Sequence, residues 1–386
     1  MAASSRILTT HAGSLPKPAG LTQLYANRAR GEAVDSATIA ELTEAATREV
    51  IERQIATGID ILNNGEVGRE SFVTYLQARM SGFGGEGQRR AMADLTRYPG
   101  YVELLAKFRG NRDNVSLLRA PQAIAAVDYA SAEPIEAECR QLARLLAPHE
   151  GRYRDAFMSS PSPGIVATVM QNAFYDDLAS YVNALAKALA VEYRTIVERG
   201  FVLQIDAPDL ALERHTLFAD KPLADFLEFA KLVVTAINRS LQGIPRDRVR
   251  LHVCWGNYEG AHDLDVELAD VWPVIAQVEA GGVLIALANP RHCHEYHYFE
   301  QGVLDDRTVL VPGVIDTTTN YVEHPEAVAD RVLQVVRAVG DPGRVIAGTD
   351  CGFESSAGNS LLAPEIVWAK LRALSEGAAL ASSRLT

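Results

Sequence analysis

The sequence lacks a long apolar run, an excess of basic residues, a glycine-rich phosphate turn and a set of closely spaced cysteines. No stretch approaches the about 18 apolar residues of a membrane span. The first residues, MAASSRILTTHAGS, do not show the basic start and the apolar core of about 7 to 15 residues that make a secretory signal. A cytoplasmic location is expected. The formal net charge of −12 argues against nucleic acid or an anionic membrane as partner, because neither attracts an acidic surface. Only four cysteines occur (Cys139, Cys254, Cys293 and Cys351), too few and too scattered for a disulfide framework. Any special role for them is therefore chemical, and a small molecule becomes the default partner.

What is present is ordinary for a globular protein, with 48% hydrophobic and 22% charged residues in a chain of 386. From about residue 155, short β-rich runs alternate with longer amphipathic stretches. FVLQID (201–206), VRLHVC (249–254), GVLIALA (282–288), VLVPGVI (309–315) and RVIAGTD (344–350) read as buried parallel strands. RILTTH (6–11), GIDILNNGE (58–66) and DAFMSS (155–160) bring the number to eight, which closes a barrel. The expected fold is one α/β domain over 1–386, a (β/α)8 TIM barrel; such barrels run from about 200 to over 400 residues. An open doubly wound sheet would carry a glycine-rich turn after its first strand, and THAGSLPKP is not one. Residues 32–58 and 176–200 read as helices. Residues 80–150 break the rhythm: GFGGEGQ (82–88) is loop-like and 114–130 suggests a hairpin, so this stretch is expected to be an insertion between the second and third βα units.

In a parallel barrel the active site lies at the carboxyl ends of the strands. One strand ends in His252-x-Cys254, and alternation puts both side chains on one face. The last ends in Asp350-Cys351-Gly352. One imidazole and two thiols at a common rim are ligand types that zinc prefers. A single buried cysteine is more commonly a small apolar residue, so spacing alone leaves both readings open.

The runs THAGSLP (10–16), NNGEVGRESFVTY (63–75), IDAPDLA (205–211), LHVCWGNYEG (251–260), ANPRHCHE (288–295), PGVIDTTTNYVEHPE (312–326) and AGTDCGF (347–353) resemble the cobalamin-independent methionine synthase superfamily. They are most similar to its branch containing the epoxyalkane:coenzyme M transferases. The resemblance covers nearly the whole chain in order. It implies a Zn2+ site formed by His252, Cys254 and Cys351, on which a small thiol is held as thiolate and alkylated to a thioether. It also implies that Asp206, with Asp209 close behind, lies near the thiol substrate, and that His11 and Ser14 contact it. For Asp209 a helix N-cap is the alternative role. Glu66 and Arg69 close the second strand and either form an ion pair or touch substrate. Asp316, Asn320 and Tyr321 follow a strand end and are expected to face the same mouth. Asp350 is expected to orient its neighbours.

The sequence departs from the family at one ligand. Members place a glutamate at the strand end before A-N-P-R, where this chain has Ala286. Three outcomes follow: a three-ligand site with an open position, a substitute ligand among Cys293, His294 and Glu295, or loss of the metal and its reaction. The spacing of His292, His294 and His297 does not suit one helix face, so a second metal site there is disfavoured. The expected activity is an alkyl transfer to a thiol, from a methyl donor or an epoxide. Ring opening would require a general acid, for which His11, His215 and Tyr321 are candidates. The alternatives are a C–S lyase using the same site and a zinc-free binding barrel. Partners are a small thiol and an alkyl donor, with a homo-oligomer left open.

Overall fold

The computed structural model describes residues 6–109 and 114–385. Its strands are β1 (Leu8–Thr9), β2 (Ile61–Leu62), β3 (Met80–Gly84), β4 (Gln122–Tyr129), β5 (Asp155–Pro161), β6 (Val202–Asp206), β7 (Val249–Val253), β8 (Gly282–Ile285), β9 (Val309–Ile315) and β10 (Ile346–Thr349). Eight of them pair in parallel in the order β1-β10-β9-β8-β7-β6-β5-β2. Between the two end strands, Asp60 N donates to Thr9 O at 3.2 Å and Thr10 Oγ1 donates to Ile61 O at 3.3 Å. The ring is thus nearly closed, and the fold is the expected (β/α)8 barrel. All eight anticipated strands form, most of them shorter than the apolar run that announced them.

Helices surround the barrel where the sequence supplies caps and apolar stripes. Ser36–Ala56 starts on Asp35, whose carboxylate accepts from Ala37 N and Thr38 N. Leu178–Glu198 starts on Asp177 in the same way and buries Tyr181, Leu185, Leu189 and Tyr193. Among the described residues no helix is long and apolar enough to cross a membrane.

Between β2 and β5 the chain makes a short antiparallel ladder, β3 with β4, and then the helix Glu133–Leu146. The expected hairpin within 114–130 is a correction: 117–119 is a 3-10 turn, and β4 pairs with β3 some forty residues upstream. The glycines of β3 concealed it. At Gly82 φ is +92°, and a Cβ would lie 2.6 Å from Ala126 O, so glycine is required where the ladder shifts register.

The lower barrel is filled by Leu8, Ile61, Phe157, Val202, Leu284, Val311 and Ile346. Above them lies a polar layer. The buried Arg250 guanidinium sits 3.7 Å from the Phe157 ring centroid and donates to Gln204 Oε1 (2.7 Å), Thr10 Oγ1 (2.9 Å) and His11 O (2.8 Å). These partners offset the cost of burying the charge. Burial is also the first cause that lowers its pKa, to about 9. This layer is the floor of the site.

Candidate metal centre and active site

Alternation along β7 sends Val249, Leu251 and Val253 outward into the helix-facing core, and Arg250 and His252 inward. Cys254 follows at the strand end. Cys351 follows β10, where Gly352 lets Ser14 approach: a Cβ there would lie 2.1 Å from Ser14 Oγ. The result is a buried group in which one donor atom from each of His252, Cys254 and Cys351 lies within 4.8 Å of the others.

The β6–β7 register sets Asp206 beside His252, and Asp206 Oδ1 accepts from His252 Nδ1 at 2.9 Å. That bond fixes the ring and leaves Nε2, now 3.1 Å from Asp350 O, as the atom available to an ion. Burial opposes charge on His252, but the neighbouring Cys254 and Asp206 raise its pKa to about 10. A hydrogen bond from Cys351 is the leading cause that holds the Cys254 thiol well below its ordinary range, and Cys351 keeps the proton. A thiolate, a second thiol and an oriented imidazole are a donor set that fits zinc.

Ala286, which the resemblance sets at the position of a glutamate ligand, offers no ligand atom. Ala286 is buried just past β8 and forms part of the same chamber wall as Cys254 and Cys351. Among the described residues none of the three candidate substitutes joins the group. Cys293 is exposed and bonds Pro290 O at 3.7 Å. His294 sits at the start of a 3-10 segment, and Glu295 accepts from Leu268 N (2.6 Å) and pairs with His292 (2.8 Å). The Asp350 carboxylate accepts from Ala288 N (2.8 Å), Asn289 N (3.0 Å) and Asn289 Nδ2 (3.1 Å). It is thereby turned to the loop after β8, and burial pushes it up to about 6. Among the described residues no fourth histidine, cysteine or carboxylate joins the group.

Two chambers meet at the thiols. The first, of about 140 Å³, has Ser14, Glu66, Asp206 and His252 among its polar lining and Phe72, Met92, Leu117, Ile165 and Leu212 among its apolar lining. The second, of about 220 Å³, includes Ala286, Asn289, Asp316 and Thr317–Thr319. Glu66 has φ +54°, an uncommon conformation for a non-glycine residue, and its Oε1 accepts from Ser159 Oγ at 2.6 Å. Burial first, and then the charge of Asp206, raise its pKa to about 7.

The other candidate residues divide. Arg69 is buried outside both chamber walls and spends its donors on Glu138 (3.0 and 3.2 Å) and Ser159 O (2.8 Å), so its ion-pair partner is Glu138 and not Glu66. His11 is sealed beneath the first chamber against Gln54 (2.9 Å), and burial lowers its pKa to about 4. Asp209 lies inside a 3-10 turn instead of capping a helix. It accepts from Ser162 Oγ at 2.5 Å, and burial raises it to about 7. Asn320 ties loops together through Leu361 O and Ala363 N. Tyr321 is 82% exposed and belongs to neither chamber wall. His292, His294 and His297 do not converge: His292 is buried between Asp265 and Glu295, and His297 faces Glu300 at the surface.

Sequence reasoning passed over Gln204 and Arg250. Both share the inward face with Asp206 and His252, two residues earlier on their strands, so the alternation that found the histidine contained them. It named His215 only as a candidate general acid and passed over the buried network that His215 forms with Tyr258, Asp94, His262 and Asp265, whose members come from three separate segments, the Ala93–Thr96 helix, the stretch after β6 and the loop after β7, and carry no common sequence signal.

Comparison with known proteins finds relatives in the superfamily that the sequence motifs resemble. The family described as "Cobalamin-independent synthase, Catalytic domain" matches residues 7–100. Methionine synthase of Saccharolobus solfataricus is 24% identical over 375 residues, 96% of this chain and 93% of the relative. Methionine synthase of Pyrococcus furiosus is 26% identical over 348 residues, 90% of this chain and 86% of the relative. A solved B12-independent methionine synthase from Shewanella sp. W3-18-1, in complex with selenomethionine, superposes with a TM-score of 0.73 at 20% identity, over 98% of this chain and 99% of that one. That likeness shows the barrel fold.

Proposed function

We propose that this chain, which belongs to the cobalamin-independent methionine synthase catalytic-domain superfamily, is a zinc-dependent transferase that alkylates a small thiol. The observation that carries the reading is the convergence of His252, Cys254 and Cys351 at the carboxyl ends of β7 and β10, with no fourth histidine, cysteine or carboxylate in the group among the described residues. Catalytic zinc commonly keeps three protein ligands and one open position. When bound, zinc lowers a substrate thiol's pKa so that thiolate, the nucleophile, is present near neutral pH.

The residues around the group supply orientation and recognition. Asp206 holds the His252 ring, and Gln204 Nε2 in turn holds Asp206 Oδ1 at 2.7 Å. Two carboxylates, Glu66 and Asp206, and the Ser14 hydroxyl line the same chamber as the two thiols, which suits a thiol compound bearing an ammonium group. The curated relatives are named as methionine synthases, so methyl is taken as the alkyl group in preference to an epoxide-derived one, and homocysteine as the first thiol to test. His11 is too enclosed to serve as a general acid and Tyr321 too exposed.

The test is product formation. Zinc-loaded protein is incubated with homocysteine, cysteine, coenzyme M or glutathione and with methyl donors or epoxides, and thioethers are read by mass spectrometry. Thioether that depends on both thiol and zinc supports the reading. Release of a thiol from a supplied thioether, with no transfer in any pairing, favours cleavage instead.

A further inference from the structure

We propose that His292 is a positioning residue whose imidazolium holds Trp255, and through it the Cys254 end of the ligand set, in place. The two rings stack at 3.7 Å between centroids and 16° between planes. Trp255 directly follows Cys254, and its Nε1 donates to Val266 O at 2.6 Å, so the indole is pinned at its edge by one bond and across its face by the imidazole.

The charge on His292 follows from its partners. Nδ1 faces Glu295 Oε2 and Nε2 faces Asp265 Oδ2, both at 2.8 Å. Carboxylates only accept, so both ring nitrogens must donate, and a ring that donates twice is an imidazolium. The neighbouring groups agree with this. Asp265 also faces His262 Nδ1 at 2.8 Å and His215 Nδ1 at 3.1 Å, and His262 Nε2 faces Tyr258 O at 3.0 Å. His262 is therefore doubly donating as well. His215 belongs to the segment after β6; its other nitrogen meets Tyr258 Oη at 3.1 Å, while that hydroxyl donates to Asp94 Oδ2 at 2.6 Å. Burial works against charge on His292, yet Asp265 and Glu295 raise its pKa above the ordinary value.

A cation over an indole face is attracted by the ring quadrupole, and more strongly when water is excluded. Loss of the proton removes that attraction and one of the two bonds to carboxylate. Trp255 then keeps its bond to Val266 O and its packing in the core but loses the charged contact on its face, beside a ligand cysteine. Among the described residues no other tryptophan stacks on a histidine: Trp272 packs on Phe299 and Trp368 lies under Arg53.

The reporter is Trp255 fluorescence, because a stacked imidazolium quenches indole emission. Emission is measured against pH as the difference between the protein and its Trp255→Phe variant, without metal. We expect one rise in emission with pH, with a midpoint above the ordinary histidine value of about 6.5, and loss of that transition in His292→Gln. Glu295→Gln, which keeps an acceptor for Leu268 N, should shift the midpoint downward. A second readout is zinc affinity, which His292→Gln should lower by about tenfold, as outer contacts of a ligand set do. The proposal is overturned if the transition persists in His292→Gln, if none occurs between about pH 6 and about pH 10, or if Glu295→Gln leaves the midpoint unmoved. The fluorescence readout does not depend on the zinc reading. If zinc never binds while the transition behaves as described, it is the proposed function that fails.

Discussion

Asp206→Asn is the perturbation whose size follows most directly from the structure. The Asp206–His252 pair is 2.9 Å long, and both side chains are less than a tenth exposed. A hydrogen bond to a charged group contributes about 1.5–3 kcal/mol, and about 1.4 kcal/mol is a factor of ten in affinity. Removing the bond should therefore weaken zinc by about 10–100-fold. Asparagine keeps an oxygen that accepts from His252 Nδ1 and from Gln204 Nε2 and loses only the charge, so the lower end, about tenfold, is expected. Asp206→Ala removes the acceptor as well and should approach the upper end. Competition against a chromogenic zinc chelator measures both variants without involving catalysis. That separation matters, because Asp206 is also proposed to meet the thiol substrate. If both variants bind zinc within about twofold of the parent protein, the ring is not held by this carboxylate and the reasoning fails.

Three further outcomes are expected. Ala286→Glu should tighten zinc binding, because a carboxylate oxygen can complete a tetrahedron at about 2.0–2.2 Å, while apparent thiol affinity falls; the chelator assay and KM measure the two effects, and unchanged zinc affinity would mean that Ala286 does not face the ion. Glu66 is neutral below about pH 7 and binds an ammonium only above it, so kcat/KM should rise through about pH 7 and Glu66→Gln should flatten that limb. Stability runs the other way: the folded protein binds the extra proton between about 4.5 and about 7, so stability falls as pH rises across that window, and denaturant titrations of Glu66→Gln should lose the slope. Arg250→Leu leaves the acceptors Gln204, Thr10 and His11 O without their donor and should cost about 3 kcal/mol in denaturant unfolding at unchanged m.

The barrel was legible because each parallel strand, buried on both faces, is a near-continuous apolar run closed by polar residues. His252, Cys254 and Cys351 stood out because they close two such runs. Asp206 and Ser14 were singled out through the family resemblance and Glu66 because it closes the second strand, and the three share one chamber wall. Tyr321 shows the limit of the rule: following a strand end puts a residue on the rim, but the loop's own path decides whether it turns inward, and here Asn320 ties that loop to Leu361 and Ala363. The β3–β4 pairing was hidden because Gly82 and Gly84 supply no alternating pattern. The cluster around Asp265 was hidden for a different reason. His215, His262 and His292 follow three different strands, and only closure of the barrel brings their loops together.

The central claim is tested most directly by elemental analysis of the purified chain, prepared without chelator, beside Cys254→Ser and Cys351→Ser. The account predicts about one zinc per parent chain, lost in both variants while the circular dichroism of the barrel is retained, because strand-end side chains do not hold the core together. A parent protein that contains no zinc and takes up none when it is supplied would contradict it.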